Sequence, residues 1–318
     1  MPAKAQSPAP NGEIAKKSVE FLEYLEVERG SSPLTIRNYR HYLDRFLLWA
    51  EIEGKISLLK QIDSDKLRRF RIHLTKVADE KGHLLLGKRT QGYHIIALRS
   101  FLKWLVKTDH EVIAPEKLDI PKVDERQVKF LSGEQVDRLL NAPNLSTVQG
   151  KRDKAILEVL FSTGLRVSEL IKLDRDKIDL DRREFGIIGK GGRARVVFLS
   201  YRAAEWIKHY LALREDKYKP LFIRHKGKVD ITHEKVRLTP RSVQRMVKKY
   251  VKKIKLPVEA TPHVLRHSFA TDLLMAGADL RSVQEMLGHK NVSTTQIYTH
   301  VTNRQLRDIH QKFHSKGN

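Results

Sequence analysis

Residues 184–199 read EFGIIGKGGRARVVFL. Glu184–Ile188 and Arg195–Leu199 are short apolar runs, and Gly189-Lys190-Gly191-Gly192-Arg193-Ala194 stands between them. Two such runs around a glycine-containing centre predict a β-hairpin with a basic tip. No other region of the chain has a clear strand pattern. Outward from the hairpin, in both directions, apolar residues recur at helical spacing. The expected fold is therefore mainly α, with a small antiparallel β-sheet.

Downstream, helical segments are expected at about 201–214, 241–254, 263–276, 279–287 and 301–313. Upstream, Ser132-Gly133-Glu134-Gln135 has the spacing of a capping box and opens a further helical series. Residues 113–129 (IAPEKLDIPKVDERQVK) carry two prolines and many charges, a linker composition. Before them, Ile14 to about Val112 predicts a compact four-helix domain. Its helices lie around Val19–Leu25, after the Ser32-Pro33 start (Tyr39, Tyr42, Leu43, Phe46, Leu47), after Asp63-Ser64 (Leu67, Phe70, Leu74), and from Thr90 (Tyr93, Ile96, Phe101, Leu102, Leu105). The expected division is a disordered tail over 1–13, a helical domain over 14–112, a linker over 113–129 and a mostly α domain over 130–318. There is no internal repeat.

The 318 residues carry 61 Lys+Arg against 38 Asp+Glu, a net charge of +23. Such an excess concentrates polyanions at the surface, nucleic acid first among them. An anionic membrane is the competing partner, but it usually needs a basic amphipathic anchor or a lipid. No stretch approaches about 18 apolar residues and no signal pattern opens the chain, so a cytoplasmic protein without a membrane partner is expected. Zero cysteines exclude disulfides, thiolate chemistry and cysteine-based zinc sites. The 14 histidines show no convincing ligand spacing with acidic partners, so neither a metal nor another cofactor is expected.

The last third gathers chemistry-bearing side chains. Thr261-Pro262 suit the first turn of a helix that continues His263-Val264-Leu265-Arg266-His267. His263 and Arg266, three apart, would share one face of it. Leu287-Gly288-His289 and Thr294-Thr295-Gln296-Ile297-Tyr298-Thr299-His300 follow. Upstream, Thr163-Gly164-Leu165-Arg166-Val167-Ser168-Glu169-Leu170 sets Arg166 just after a glycine turn, with Glu169 one helical turn beyond. Taken singly, each has an ordinary reading: a half-buried tyrosine, a solvated helix start, a surface ion pair. The run Lys248-Lys249-Tyr250-Val251-Lys252-Lys253 is either a solvated helix face or a set of phosphate contacts.

TGLRVSEL, GKGGRAR, HVLRHSFAT, LGH and TTQIYTH, in this order and spacing, resemble the tyrosine recombinase (phage integrase) family, and its Xer members above all. The likeness spans most of residues 14–313 and includes LRDIHQKFHSK, similar to the terminal Xer helix. The resemblance implies Tyr298 as nucleophile, with Arg166, Lys190, His263, Arg266 and His289 catalytic and Glu169 in support. Residues 14–112 would be a core-binding DNA-binding domain, and Lys248, Lys249, Lys252 and Lys253 are added as DNA contacts.

The chemistry of those residue types agrees. In transesterification at a phosphate, charge builds on the non-bridging oxygens while attacking and leaving oxygens lie in line. Arg166 and Arg266 could clamp those oxygens bidentately, and His289 could donate to the same phosphate. His263 titrates near neutrality and could accept the tyrosine proton. The ordinary tyrosine pKa of about 10 would fall beside such cations. Lys190, on a hairpin tip, could protonate the 5′-oxygen. Arg193 and Arg195 are poorer donors, because guanidinium rarely releases a proton. Gly189–Gly192 is also similar to the GxxG loop of a KH domain, but that loop leads into a helix and Arg195–Leu199 is strand-like.

The resemblance further implies a partner, double-stranded DNA with a specific recombination site. It implies a homotetramer on two sites (or a paired related recombinase), accessory proteins, and strand exchange through a 3′-phosphotyrosine and a Holliday junction. Xer-like resolution of chromosome or plasmid dimers is the expected role. A mobile-element integrase is the nearest alternative, disfavoured because a 13-residue tail leaves no room for an arm-binding domain. A type IB topoisomerase and a non-catalytic basic binding protein are further alternatives. Val301, Leu306, Ile309 and Phe313 form an apolar face suited to docking, on a neighbouring protomer or on the chain's own domain. The basic stretch Arg224–Arg237 is longer than Xer chains need.

Overall fold

The computed structural model describes residues 12–121, 129–189, 192, 194–225 and 233–288. The chain divides into two compact units, Met1–Arg126 and Gln127–Asn318.

The first unit is built on α1 (Glu13–Val27), α2 (Pro33–Trp49), α3 (Ser64–Lys76) and α4 (Lys88–Lys107). Local sequence sets their starts. The Ser32 hydroxyl accepts from the Thr35 N–H at 3.2 Å with Pro33 in the first turn, and the Asp63 carboxylate accepts from Lys66 N–H at 2.8 Å. One face of each helix is apolar, and those faces meet around Phe21, Phe46, Phe70 and Phe101, all fully buried. Phe46 and Phe70 meet edge to face at 5.1 Å between ring centres. Leu118, beyond a short helical turn at Pro115–Lys117, is buried in this same core, so its packing continues past Val112.

The second unit comprises α5 (Gly133–Leu140), α6 (Val148–Thr163), α7 (Val167–Leu170), β1 (Glu184–Ile188), β2 (Ala194–Phe198), α8 (Tyr201–Leu211), α9 (His233–Val236), α10 (Pro240–Lys253), α11 (Pro262–Met275) and α12 (Leu280–Leu287). Ser132 and Gln135 form the expected capping box at the start of α5. β1 and β2 pair antiparallel with Ile187 opposite Arg195 and Ile188 opposite Ala194, which is the hairpin expected from sequence and not a loop leading into a helix. Helix α6 is the centre of this unit. Ala155, Ile156, Leu157, Val159 and Leu160 are all buried, covering most of its circumference. The chain is thus mainly α with a small antiparallel sheet, as expected.

The basic stretch 224–237 is closed at its base. The Arg224 N–H donates to the Val236 carbonyl at 2.9 Å, and Arg237 reaches Asp174 Oδ1 at 2.8 Å. Arg152 Nη1 holds the Ile223 carbonyl at 2.8 Å. Among the described residues no helix is long and apolar enough to cross a membrane.

Candidate active site

Helix α6 ends on Gly164, whose backbone is left-handed (φ 60°). A Cβ there would lie 2.5 Å from the Phe269 ring and 2.9 Å from Leu287 Cδ2. Glycine is therefore required twice, for its conformation and for its lack of bulk. The tight exit delivers Arg166 to the N-cap of α7. One turn on, Glu169 Oε2 accepts from the Arg166 backbone N–H at 2.9 Å, and its Oε1 accepts from Arg166 Nη1 at 3.0 Å. The spacing that set Glu169 one turn after Arg166 in the sequence is thus a side-chain contact.

At α11, Thr261 caps the first turn by accepting from the Val264 N–H at 3.2 Å, with Pro262 at the first helical position. His263 and Arg266 follow on one side of the helix. Arg266 is only 3% exposed. Its Nη1 donates to the Gly164 carbonyl at 2.6 Å and its Nη2 to the Leu287 carbonyl at 2.7 Å. These carbonyls sit at the C-terminal ends of α6 and α12, where helix dipoles present partial negative charge. One buried guanidinium therefore ties two helix ends together.

His263 Nε2 lies 3.0 Å from His267 Nε2, so one ring donates to the other. Burial, followed by the charges of Arg266 and Arg166, pushes the His263 pKa below its usual value. Protonation is disfavoured, and the ring stays a neutral acceptor at physiological pH. The acceptor form exists above the folded pKa and is lost as pH falls through it. If His263 is the base expected from the sequence, a single-turnover rate followed from pH 5 to 8 should fall only below the ordinary histidine range. A decline centred within or above that range would remove His263 from the role of base.

Arg166, His263 and Arg266 line one cleft of about 660 Å³, and Gln244, Lys248 and Lys252 of α10 supply a further wall of it. Lys248 and Lys252 are one helical turn apart and share that wall. Lys249 and Lys253 lie on the adjacent stripe: Lys249 stands over the Tyr250 ring at 5.3 Å, and Lys253 donates to the Ala142 carbonyl at 2.9 Å. One carboxylate, Glu259, also borders the cleft. Lys190, His289, Tyr298 and the 301–313 segment lie outside the described residues. The described flanks are Gly189, which follows β1, and Gly288, which follows α12 with φ 64°. The Gly288 carbonyl accepts from Arg166 Nη2 at 3.4 Å.

Two contacts escaped the sequence reading. Arg195 of β2 donates to both oxygens of Glu169, at 3.3 and 3.0 Å. His267, read only as part of a motif, touches His263. Strand alternation could have indicated the first: Arg195 shares with Val197 the side of β2 that faces the core.

Residues 129–305 match the phage integrase family, and residues 19–109 match the phage integrase N-terminal SAM-like domain. The tyrosine recombinase XerD of Halalkalibacterium halodurans is 35% identical over 305 residues, covering 94% of this chain and 97% of that protein. The tyrosine recombinase XerC of Salmonella typhi is 37% identical over 301 residues, covering 93% and 95%. Among solved structures, XerH site-specific recombinase bound to palindromic difH substrate in a post-cleavage complex shares the fold. Its TM-score is 0.69 at 23% identity, over 94% of this chain and 87% of that one.

Proposed function

The chain belongs to the phage integrase family of tyrosine recombinases, enzymes that cleave and rejoin DNA strands, and from that premise we propose how its own residues do so. Tyr298 Oη attacks the scissile phosphorus while His263 takes the phenolic proton. The bond from phosphorus to the 5′-oxygen breaks, and Lys190 protonates the departing oxygen. The product is a 3′-phosphotyrosine and a free 5′-hydroxyl. Arg166, Arg266 and His289 neutralise the non-bridging oxygens, and Glu169 orients Arg166. The phosphodiester energy is kept in the covalent link, so neither ATP nor a metal is needed. Rejoining is the same step in reverse, with a 5′-hydroxyl from the partner duplex.

The observation that carries this reading is the cleft itself. Two guanidiniums and a neutral histidine, brought from α7 and α11, share one cleft with two lysines of α10, a concentration of donors and positive charge suited to a phosphate. Residues 14–112 act as the core-binding domain, 113–129 as a linker whose first part packs on that domain through Leu118, and 130–318 as the catalytic domain. Lys248 and Lys252 contact phosphate on the approach to the cleft, with Lys249 and Lys253 beside them. The substrate is duplex DNA carrying a specific site, bound by four protomers or by two paired recombinases in the cytoplasm. Resolution of chromosome or plasmid dimers is the role, supported by relatives named XerC and XerD at 35–37% identity over nearly the whole chain.

The test is covalent trapping on a pool of nicked duplexes with randomised sites, followed by denaturation in SDS and sequencing of the captured DNA. Wild-type protein is expected to yield adducts sharing one sequence, and Tyr298→Phe is expected to yield none. Adducts that persist unchanged in Tyr298→Phe would refute Tyr298 as nucleophile.

A further inference from the structure

Glu169 is a carboxylate with only 7% of its side chain exposed, and it holds two arginines rather than one. Arg166 Nη1 meets Oε1 at 3.0 Å; Arg195 Nη1 meets Oε1 at 3.3 Å and Arg195 Nη2 meets Oε2 at 3.0 Å. The two cations differ in what else they can reach. Arg195 is 13% exposed and both its terminal nitrogens are committed to Glu169, whereas Arg166 is 31% exposed and borders the cleft. Burial opposes ionisation of Glu169, but the hydrogen bond from Arg195, the Arg166 N–H and both guanidinium charges outweigh it and hold the carboxyl below its ordinary range.

The charge balance separates the two arginines. With Glu169 ionised, the trio carries one net positive charge. The carboxylate is already matched by the less accessible Arg195, which leaves the surplus on the more accessible Arg166. Without Arg195, the only cation within hydrogen-bonding distance of Glu169 among the described contacts would be Arg166. Its charge would then be spent inside the protein, and its guanidinium drawn towards Glu169. Gly288 fits the same geometry, since a Cβ there would lie 2.8 Å from Arg195 Nη1.

We propose that Arg195 is a positioning residue for strand cleavage: it neutralises Glu169 so that Arg166 presents its charge to the scissile phosphate. This rests on the phosphate-clamping role given to Arg166 above. It also gives β2 a task separate from that of Lys190, because the strand that follows the hairpin tip sets the charge available to Arg166.

The experiment uses the full chain and the site sequenced from wild-type adducts, prepared with either a normal phosphate or a methylphosphonate at the scissile position. The methylphosphonate has lost the negative charge that Arg166 is there to meet. On the normal site, Arg195→Gln is expected to slow adduct formation by about tenfold or more, with duplex binding little changed. On the methylphosphonate the difference from wild type should shrink to within about twofold. Restoring charge balance by the double change Arg195→Gln with Glu169→Gln should recover much of the rate on the normal site. Arg195→Lys, which keeps the cation, should fall between, and it carries the comparison if Arg195→Gln does not fold. A defect of equal size on both substrates, or wild-type rates for the Arg195 variants, would overturn the proposal. Arg166→Ala separates it from its premise: wild-type cleavage by that variant would refute the role of Arg166 itself.

Discussion

Arg266→Ala is expected to slow strand cleavage and to loosen the catalytic unit together, because the phosphate role proposed for Arg266 and its two carbonyl bonds fall on one side chain. Two charge-assisted bonds, to the Gly164 and Leu287 carbonyls, are lost from a site with 3% exposure. Each such bond contributes roughly 1.5–3 kcal/mol, so a loss of about 3–4 kcal/mol is expected once the cavity partly collapses. In a unit of this size that lowers the melting temperature by roughly 6–16 °C. Cleavage measured well below the new melting point should still be slower by about 10²–10³-fold, the usual effect of removing one donor to a developing oxyanion. Arg266→Lys separates the tasks. It keeps the charge but not the fork that spans both carbonyls, so part of the stability returns while cleavage stays slow. An Arg266→Ala protein that melts and cleaves like wild type would remove Arg266 from the site.

Lys190→Ala should slow adduct formation by about 10²–10⁴-fold on ordinary DNA, the range expected for loss of a general acid. The same variant should cleave at nearly the wild-type rate when sulfur replaces the 5′-bridging oxygen. A thiol has an ordinary pKa of about 8.5, so a thiolate departs without a proton, whereas an alkoxide does not. Lys190→Arg should resemble Lys190→Ala on the oxygen substrate, since guanidinium holds its proton too tightly to give it up. If the defect persisted on the sulfur substrate, the proton would have to come from another residue.

Much of this was legible in the sequence because the information was local. Caps at Ser32, Asp63 and Ser132 and the three-residue spacing of His263 and Arg266 depend on neighbours within a turn, and each takes the conformation its sequence asks for. The start of α4 was less legible. It begins at Lys88, before the apolar run that Thr90 appeared to open, because Lys88 and Arg89 extend the first turn without contributing to the core. The Glu169–Arg195 pair joins residues 26 apart through the register of a hairpin, and no periodicity in the chain encodes that distance. The same holds for Arg266, whose sequence position suggested a phosphate ligand but not its grip on two helix ends 102 and 21 residues away.

The closed base of the basic stretch has a consequence for how this chain can change over time. The bonds that bring Arg224 to Val236, Arg237 to Asp174 and Arg152 to Ile223 all lie at the base, outside residues 226–232. Once the two ends are fixed, doubling the length of such a segment adds only about 0.6 kcal/mol of closure entropy. On that entropic ground alone, a change of length between the anchors leaves the bonds of Arg224, Arg237 and Arg152 little affected.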